Sequence, residues 1–449
     1  METTVQGNNH DDVRRHNLSI ILRAVHRGGP SSRADLTRLT GLNRSTISAL
    51  VAELVQLGLV GERQPDATRQ VGRPSPVVEA SGRVAALAVH PEIDAVTVGL
   101  VGLDGVVHRR IRSVVEHSPS AAEAVSLAAA VIEGLRGDLE LFDVVGVGVA
   151  VPGLVRTVDG VVRHAPHLGW VDEPFAERLA DATGYPVVAA NDASLGVLAE
   201  RYFGAGRGLT DLVYLNGGAS GIGGGLIVGG RVVGGHAGYA GEFGHTRVSE
   251  SQALDSAGFR GTLEAEVTRR GLLEALAGDS GGADESGFGL GGLDRLDGLG
   301  DLDSRDGRRQ GGLGGSGESD EGDDERFGAF GIEAADADEL ERALLASTSP
   351  RVRAEVNRQI DYLAVALASA INVLNPQLVV LGGFLAALRA VDPERLQAAV
   401  AELTLRELLA DVHIDSARLG SDLPMIGAAE LAFDEVLGNP QAFVRGSRP

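Results

Sequence analysis

The chain has 449 residues, of which 43% are hydrophobic, and this length predicts two or three folded domains rather than one. Cysteine is absent, which excludes disulfide bonds and thiolate metal sites, and lysine is absent too, so all 40 basic residues are arginine. No stretch approaches the roughly 20 apolar residues of a membrane helix, and the N-terminus is too polar for a signal peptide, so we expect a cytoplasmic protein without a membrane partner.

Charge is distributed unevenly along the chain. The formal net charge is −22, which argues against nucleic-acid binding by the surface as a whole. Residues 1–80, however, contain ten arginines against eight acidic residues, a net charge of +2, and the remainder carries −24. The N-terminal segment is therefore the part of the chain that can face nucleic-acid phosphates.

Three short helices are predicted in this segment. The first covers residues 17–26, where apolar side chains recur at helical spacing. The second begins after a capping Ser32 and ends at a glycine, with Leu36 and Leu39 expected to face inward. The third begins after a capping Asn43, and its inner stripe comprises Ile47, Leu50, Val51, Leu54 and Leu57.

The first turn of the third helix presents polar side chains outward, as the recognition helix of a helix-turn-helix does. The residues expected to contact DNA in this turn are Arg44, Ser45, Thr46 and Ser48. The alternative is a three-helix domain that binds only protein.

A hairpin follows these helices, with strands predicted over residues 59–64 and 76–80. Its loop contains Arg69 and the sequence Gly72-Arg73-Pro74, in which glycine permits a close backbone approach and proline keeps the chain extended. We interpret the hairpin as a wing whose arginines reach the minor groove of DNA. A plain turn with two solvated arginines is the alternative.

Beyond residue 82 the pattern changes to alternating strands and helices. The predicted elements are strands over 84–90, 95–100 and 106–113, a helix over 120–135 and a buried strand over 144–151. A further strand over 186–190 leads to Asn191 and Asp192. These two residues either cap the helix that follows or bind a ligand, and the two roles are compatible.

A glycine-rich segment places a carboxylate beside an imidazole. Residues 221–225 read GIGGG and open an apolar strand, and residues 234–248 read GGHAGYAGEFGHTRV. If the chain turns helical after Gly241, Glu242 and His245 lie at i and i+3 on one face. This pair suits a polyol, because a carboxylate accepts from adjacent hydroxyls and an imidazole donates or accepts. The alternative is a glycine-rich turn with a solvated Glu and His.

Together these segments resemble the ROK family of repressors and sugar kinases over nearly the whole chain. The resemblance implies an N-terminal winged helix-turn-helix joined to an actin-like (ribonuclease H-like) ROK domain, which is a duplicated α/β fold. It also implies that Asp192 stands at the position of the kinase base, and that His167 stands where many members have asparagine. His167 is then either a sugar contact or a solvated loop residue. The sugar-binding residues that the resemblance implies are Asn191, Asp192, Glu242, His245 and Glu264.

Two motifs depart from the family pattern. The phosphate loop of the kinases is replaced by His90-Pro91-Glu92-Ile93-Asp94, in which proline donates no amide and the carboxylates repel phosphate. The three cysteines of the family's zinc loop align with Asp255, Ala257 and Thr262, which are not an adequate zinc ligand set. We therefore expect no catalysis, no cofactor and no bound metal.

The domain organisation is interrupted by one biased segment. Residues 278–328 are rich in Gly, Asp, Ser and Leu, and this low complexity predicts a disordered insertion. Helices resume over 335–346 and 352–374, followed by a strand over 378–381. We expect a winged helix-turn-helix over residues 1–80 and a ROK domain over residues 83–440.

The expected function is that of a sugar-responsive transcriptional regulator, and specifically a repressor. Its partners would be operator DNA and a small sugar or sugar-derivative effector, and it would assemble as a homodimer or homotetramer. The main alternative is an active sugar kinase with an added DNA-binding domain. A scaffold controlled by a protein partner, without a ligand, is a further alternative.

Overall fold

The computed structural model describes residues 10–64, 76–219, 221–278 and 337–443. Within these ranges no helix combines the length and apolar character that crossing a membrane requires. Arg69 and Arg73 of the predicted wing loop, and the predicted insertion beyond Gly278, lie outside the described residues.

The N-terminal unit consists of three helices and a three-stranded antiparallel sheet. Its elements are α1 (His10–Gly28), β1 (Ser31–Ser32), α2 (Arg33–Thr40), α3 (Arg44–Leu57), β2 (Val60–Arg63) and β3 (Val77–Ala80). β3 lies between β1 and β2. Side chains begin both short helices as predicted: Ser32 and Asp35 form a capping box at α2, and Asn43 accepts a hydrogen bond from Thr46 N at α3.

Burial in this unit follows the predicted stripes with one exception. The buried residues of α3 are Ile47, Leu50, Val51 and Leu54. On α2, Leu36 is buried, but Leu39 is 70% exposed, so the prediction that Leu39 faces inward is wrong. Leu39 lies in the last turn of an eight-residue helix, where the chain leaves the core through Gly41 in a left-handed conformation (φ 72°).

The first half of the α/β region contains one large sheet and one small one. Its elements are β4 (Val84–Pro91), β5 (Ala95–Gly102), β6 (Val107–Val114), α4 (Ala121–Gly134), α5 (Arg136–Leu139), β7 (Asp143–Val151), β8 (Leu154–Arg156), β9 (Val161–Ala165), β10 (Trp170–Glu173), α6 (Phe175–Thr183), β11 (Val187–Asn191) and α7 (Asp192–Phe203). The large sheet has the order β11-β7-β4-β5-β6, and β8, β9 and β10 form the small one. β4, β7 and β11 run parallel, so their carboxyl ends meet at one edge.

The second half repeats this arrangement. Its elements are β12 (Leu212–Gly218), β13 (Gly221–Val228), β14 (Arg231–Val232), α8 (Leu263–Glu266), α9 (Arg269–Ala277), α10 (Ala337–Ala346), α11 (Pro350–Leu374), β15 (Leu378–Gly383), α12 (Phe384–Val391), α13 (Pro393–Leu403), β16 (His413–Ser416) and α14 (Leu423–Gly438). The sheet order is β14-β13-β12-β15-β16. In both sheets an antiparallel meander of three strands is followed by two parallel strands, and this confirms the duplicated α/β fold.

The N-terminal unit and the first sheet share a hydrophobic core. Leu18 and Ile21 of α1 belong to the same buried cluster as Phe433 and Leu437 of α14. The hydroxyl of Ser19 also donates a hydrogen bond to Leu437 O at 2.6 Å. A separate cluster fills the second half around α11. α14 therefore packs against both the N-terminal unit and the α/β region.

Candidate functional site

Asn191 and Asp192 lie at the edge where the parallel strands of the first sheet end. The Asn191 side chain accepts a hydrogen bond from Ser194 N at 2.9 Å and donates one to Gly153 O at 3.1 Å, so it does cap α7. Asp192 accepts hydrogen bonds through Oδ1 from Ala193 N at 2.8 Å and from Asn191 Nδ2 at 3.3 Å. Burial raises the pKa of Asp192, whereas the nearby His90 acts in the opposite direction.

His90, the first residue of the segment that replaces the phosphate loop, lies close enough to Asp192 to affect its pKa. It lies near the end of β4, and its Nδ1 is 2.8 Å from Ala150 O on the neighbouring β7. This hydrogen bond orients the ring, and the ring influences the pKa of Asp192. The position at the carboxyl end of a central parallel strand was the signal that could have identified it.

Glu242 and His245 come together through a tight turn. The turn is a single 3-10 turn, Phe243–His245, rather than an α-helix, and it places Glu242 Oε2 4.0 Å from His245 Nε2. Gly241 before it has φ 103°, and a Cβ there would lie 2.6 Å from Gly224 O. Burial raises the pKa of Glu242, His245 lowers it, and the carboxylates of Asp192 and Glu264 raise it further.

His245 is held from behind by Asp255, one of the residues aligned with the zinc cysteines. His245 Nδ1 lies 2.8 Å from Asp255 Oδ2, and Thr262 Oγ1 donates to the same oxygen at 2.9 Å. Ala257 N and Phe259 N donate to Asp255 Oδ1 at 3.0 and 2.8 Å. Burial alone would raise the pKa of Asp255, but the hydrogen bonds from His245, Phe259 and Thr262 outweigh it and the pKa is lowered.

This network fixes which hydrogen-bonding role His245 takes. An ionised Asp255 only accepts hydrogen bonds, so Nδ1 of a neutral His245 carries the proton and Nε2 is the acceptor. A zinc ion does not fit here, because the thiolates are replaced by one carboxylate, a hydroxyl and an alanine that offers only its backbone. Among the described residues, no group of three or more His, Asp or Glu side chains is arranged to hold a metal.

Glu264 is hydrogen-bonded within the protein, whereas one ring nitrogen of His167 has no hydrogen-bond partner among the described residues. Glu264 accepts hydrogen bonds from Ile222 N at 3.1 Å and from the backbone and hydroxyl of Ser256. A Cβ on Gly221 would lie 2.2 Å from its Oε2, so the carboxylate packs tightly on the β12–β13 hairpin. The half-buried His167, by contrast, has a buried Nε2 without a hydrogen-bond partner in the described part of the chain. Burial lowers the pKa of His167, while Glu264 raises it and His245 lowers it further.

The side chains predicted to bind a sugar therefore interact with one another. The charges of Asp192 and Glu264 raise the pKa of Glu242, and the charge of Glu264 raises that of His167, so these side chains lie close enough to influence one another electrostatically. Asp192, Glu242 and the acceptor Nε2 of His245 are all hydrogen-bond acceptors. Such a cluster suits a ligand that brings many hydroxyl donors.

The polar first turn of α3 is the candidate DNA interface. Arg44 and Ser45 are exposed, and Thr46 and Ser48 are half-buried. The hydroxyl of Ser45 donates to Asn43 Oδ1 at 2.7 Å, so this side chain also supports the helix cap. Arg44 is therefore the side chain of this turn that is best placed to contact DNA.

Two family models match the chain: the model described as the ROK family covers residues 94–435, and the model described as the MarR family covers residues 19–70. A candidate xylose repressor from Caldicellulosiruptor sp. (strain Rt8B.4) is 24% identical, covering 96% of this chain and 99% of that protein. A glucokinase from Thermotoga maritima (strain ATCC 43589 / DSM 3109 / JCM 10099 / NBRC 100826 / MSB8) is 27% identical, covering 76% of this chain and 95% of that protein.

The fold is shared with a solved regulator. The crystal structure of a ROK family transcriptional regulator, described as a homolog of the E. coli MLC protein, superimposes with a TM-score of 0.69 at 21% identity. The match covers 95% of this chain and 97% of that chain, so it includes the N-terminal unit as well as both halves of the α/β region. The duplicated α/β fold, the N-terminal winged helix and the family model over residues 94–435 together show that the chain belongs to the ROK family.

Proposed function

We propose that this chain is a sugar-responsive transcriptional repressor. The observation that carries the proposal is that one chain joins a MarR-like winged helix to a cluster of hydroxyl-accepting side chains. A relative that is named as a candidate xylose repressor aligns with this chain over 99% of its own length. We propose a DNA-binding domain over residues 1–80, a ROK domain over residues 83–440 and a place of action in the cytoplasm, where chromosomal DNA is found.

In the proposed site, Asp192, Glu242 and His245 accept hydrogen bonds from neighbouring sugar hydroxyls. Asn191 and Glu264 also contact the sugar, in addition to capping α7 and holding the β12–β13 hairpin, and His167 donates or accepts through Nε2. Operator contacts come from Arg44, Ser45, Thr46 and Ser48 on α3 and from Arg69 and Arg73 of the wing. A homodimer or homotetramer would present two α3 helices to a pseudo-palindromic site.

We further propose that the chain does not phosphorylate its sugar. The turn after β4 is a hairpin in which Glu92 N donates to Ala95 O at 2.8 Å, so this amide is not free for a phosphate. Pro91 offers no amide, and Asp94 brings a carboxylate that pairs with Arg112 at 2.7 Å. Asp192 alone would supply a base without a phosphate-binding loop.

An active sugar kinase is the second candidate, because Asp192 stands at the family's base position and the chain is related to glucokinases. The same purified protein can be tested for both the repressor and the kinase function. Purified protein is titrated against a labelled DNA fragment from upstream of its own gene, with and without a panel that includes D-xylose and D-glucose. A repressor binds this DNA and changes its affinity with one of the sugars. Steady ATP-dependent sugar turnover without DNA binding would overturn the proposal.

A further inference from the structure

α7 extends directly from the candidate sugar site to the DNA-binding unit. Its first residue is Asp192, and its last turn contains Tyr202 and Phe203. At 1.5 Å per residue, a helix of this length spans about 18 Å. A helix keeps its internal hydrogen bonds when it moves, so a shift at its first turn is carried to its last.

The last turn of α7 contacts α1. The guanidinium carbon of Arg27 lies 3.8 Å from the centre of the Tyr202 ring, a cation–π contact. The ring of His26 meets Phe203 edge-on, with ring centres 5.5 Å apart. Both α1 residues lie in the last turn of the helix that leads into α2 and α3.

A buried carboxylate on α14 completes this contact. His26 Nδ1 is hydrogen-bonded to Leu103 O, and His26 Nε2 is hydrogen-bonded to Glu430 Oε1. Arg27 Nη2 lies 3.6 Å from Glu430 Oε2. We call the group of His26, Arg27, Tyr202, Phe203 and Glu430 the interdomain clasp.

The clasp is buried but not fully satisfied. The His26 side chain is 0% exposed and that of Glu430 is 2% exposed. Arg27 Nε and Glu430 Oε2 are nevertheless buried without a hydrogen-bond partner among the described residues. Buried donors and acceptors that form no hydrogen bond have lost their contacts with water without replacing them, and this desolvation cost destabilises the present arrangement of the clasp. A second arrangement of the same side chains therefore lies closer to it in free energy.

α7 packs closely against its neighbours but borders a cavity along part of its surface. A Cβ on Gly196 would lie 2.7 Å from the Tyr214 ring, and a Cβ on Gly427 of α14 would lie 2.6 Å from Leu195 O. Ser194, Leu195 and Leu198 of α7 line a cavity of about 520 Å³, which Leu431, the neighbour of Glu430, also lines. A small shear of α7 against its neighbours therefore has space on the cavity side.

We propose that α7 couples the sugar site to the DNA-binding unit and acts on it through the interdomain clasp. The proposal rests on the proposed function, because it requires a sugar to bind at Asp192. A bound sugar changes the position of the first turn of α7, the last turn moves with it, and the clasp exchanges partners so that α1 and α3 take a new position. The clasp is then the two-state element that both sites bias.

The absence of cysteine makes a direct test possible, since two introduced cysteines are the only labelling sites. Leu39→Cys on α2 and Leu141→Cys beside α5 replace side chains that are 70% and 65% exposed. The distance between spin labels at these positions is measured by pulsed electron paramagnetic resonance, and sugar affinity is measured calorimetrically with D-xylose and D-glucose as probes. Both are done in the otherwise unchanged chain, in Glu430→Gln and in the matched control Glu435→Gln, which changes an exposed carboxylate on the same helix. Tyr202→Leu is a second clasp variant that introduces no new polar group.

We expect the sugar to shift the label distance in the parent and in Glu435→Gln. In Glu430→Gln and Tyr202→Leu the dissociation constant for the sugar should stay within about twofold, while the sugar-induced shift is lost and the distribution without sugar broadens. A clasp variant that binds sugar and shows the full parental shift would overturn the coupling. If neither sugar binds the parent, the proposed function fails in its ligand class. The clasp is then judged without sugar, and Glu430→Gln distances identical to those of Glu435→Gln would overturn it.

Discussion

Replacing Asp255 with asparagine tests how His245 is held in the site. The substitution keeps the shape of the side chain but changes one acceptor oxygen into an NH₂ group. If the remaining oxygen stays with the two backbone amides, Ala257 N and Phe259 N, the NH₂ group faces His245 Nδ1 and Thr262 Oγ1. His245 can answer by moving its proton to Nε2, so that Nδ1 accepts from the new amide.

The magnitude follows from the bonds that change. Two hydrogen bonds to a charged acceptor are lost, at ~1.5–3 kcal/mol each, and the tautomer change of His245 recovers about one neutral bond of ~1 kcal/mol. The net loss in the free energy of unfolding is ~2–5 kcal/mol, which lowers the melting temperature by several degrees. Nε2 becomes a donor, so a sugar hydroxyl that would donate to it is left unpaired at a cost of ~1–3 kcal/mol, and the affinity for that sugar should fall about 10–100-fold.

The pH dependence has a definite sign. The pKa of Asp255 is lowered in the folded protein from its ordinary value of 3.8, so its contribution to stability is present above that value and is lost as the pH falls through the folded pKa. The stability gap between parent and Asp255→Asn should therefore close in strong acid. Melting curves at pH 7 and in acid, with ¹⁵N shifts of the His245 ring, measure both effects. Equal melting temperatures and an unchanged ring tautomer at pH 7 would refute the reasoning.

The loop that contains Asp255 also allows a test in which a zinc site is introduced. Asp255→Cys, Ala257→Cys and Thr262→Cys together recreate the three thiolates that, with His245, would form a tetrahedral zinc site. Because the chain has no other cysteine, elemental analysis should read close to one zinc per chain in the triple variant and much less without Thr262→Cys. A triple variant that folds and binds no zinc would show that the loop is aligned wrongly.

Four further outcomes are expected. Glu242→Gln should weaken sugar binding by ~1–3 kcal/mol through an unpaired hydroxyl, while calorimetry detects little change in Glu250→Gln, whose side chain is 94% exposed. Because burial raises the pKa of Glu242, the same variant should melt no lower than the parent at pH 7, and a lower melting temperature would contradict this. Arg44→Ala should weaken operator binding by ~1–3 kcal/mol, measured by fluorescence anisotropy. The control Arg136→Ala, which changes a side chain that is 72% exposed and distant from α3 in the sequence, should leave operator binding unchanged. Equal losses in the two variants would exclude α3 as the helix that recognises the operator. A coupled ATP assay over a sugar panel should show no turnover, and turnover abolished by Asp192→Asn would identify a kinase.

The sequence predicted the local elements well where periodicity and capping residues agree. α2 and α3 begin after Ser32 and Asn43 as expected, because both side chains accept hydrogen bonds from the first turn. It also predicted that Asn191 and Asp192 follow a strand, which is the observed β11, parallel to β7. β1, with two residues, was not predicted, because so short a strand shows no alternation.

Contacts between residues far apart in the chain could not be predicted from the sequence. Glu430 and His26 are 404 residues apart, and neither lies in a local pattern that marks it as a partner of the other. His90 was noticed only as a departure from a phosphate loop, although it lies beside Asp192. A single 3-10 turn at Phe243–His245 takes the place of a helix, and the chain is already extended at Thr246 (ψ 135°), whose hydroxyl donates to Phe243 O.

The shared core of α1 and α14 bears on how the protein can be divided. Leu18 and Ile21 are 0% exposed, and the cluster that buries them includes Phe433 and Leu437, near the other end of the chain. The same cluster also contains Leu36, Ile47 and Leu54 of the DNA-binding part itself, so a fragment that ends at residue 80 would keep this part of the core. It would lose the polar contacts of α1 with α14, among them the hydrogen bond from Ser19 to Leu437 O and the ion pair of Arg23 with Asp434. The DNA-binding part therefore draws a share of its stability from the α/β region, and a chimera that grafts it onto another effector domain would have to replace these contacts.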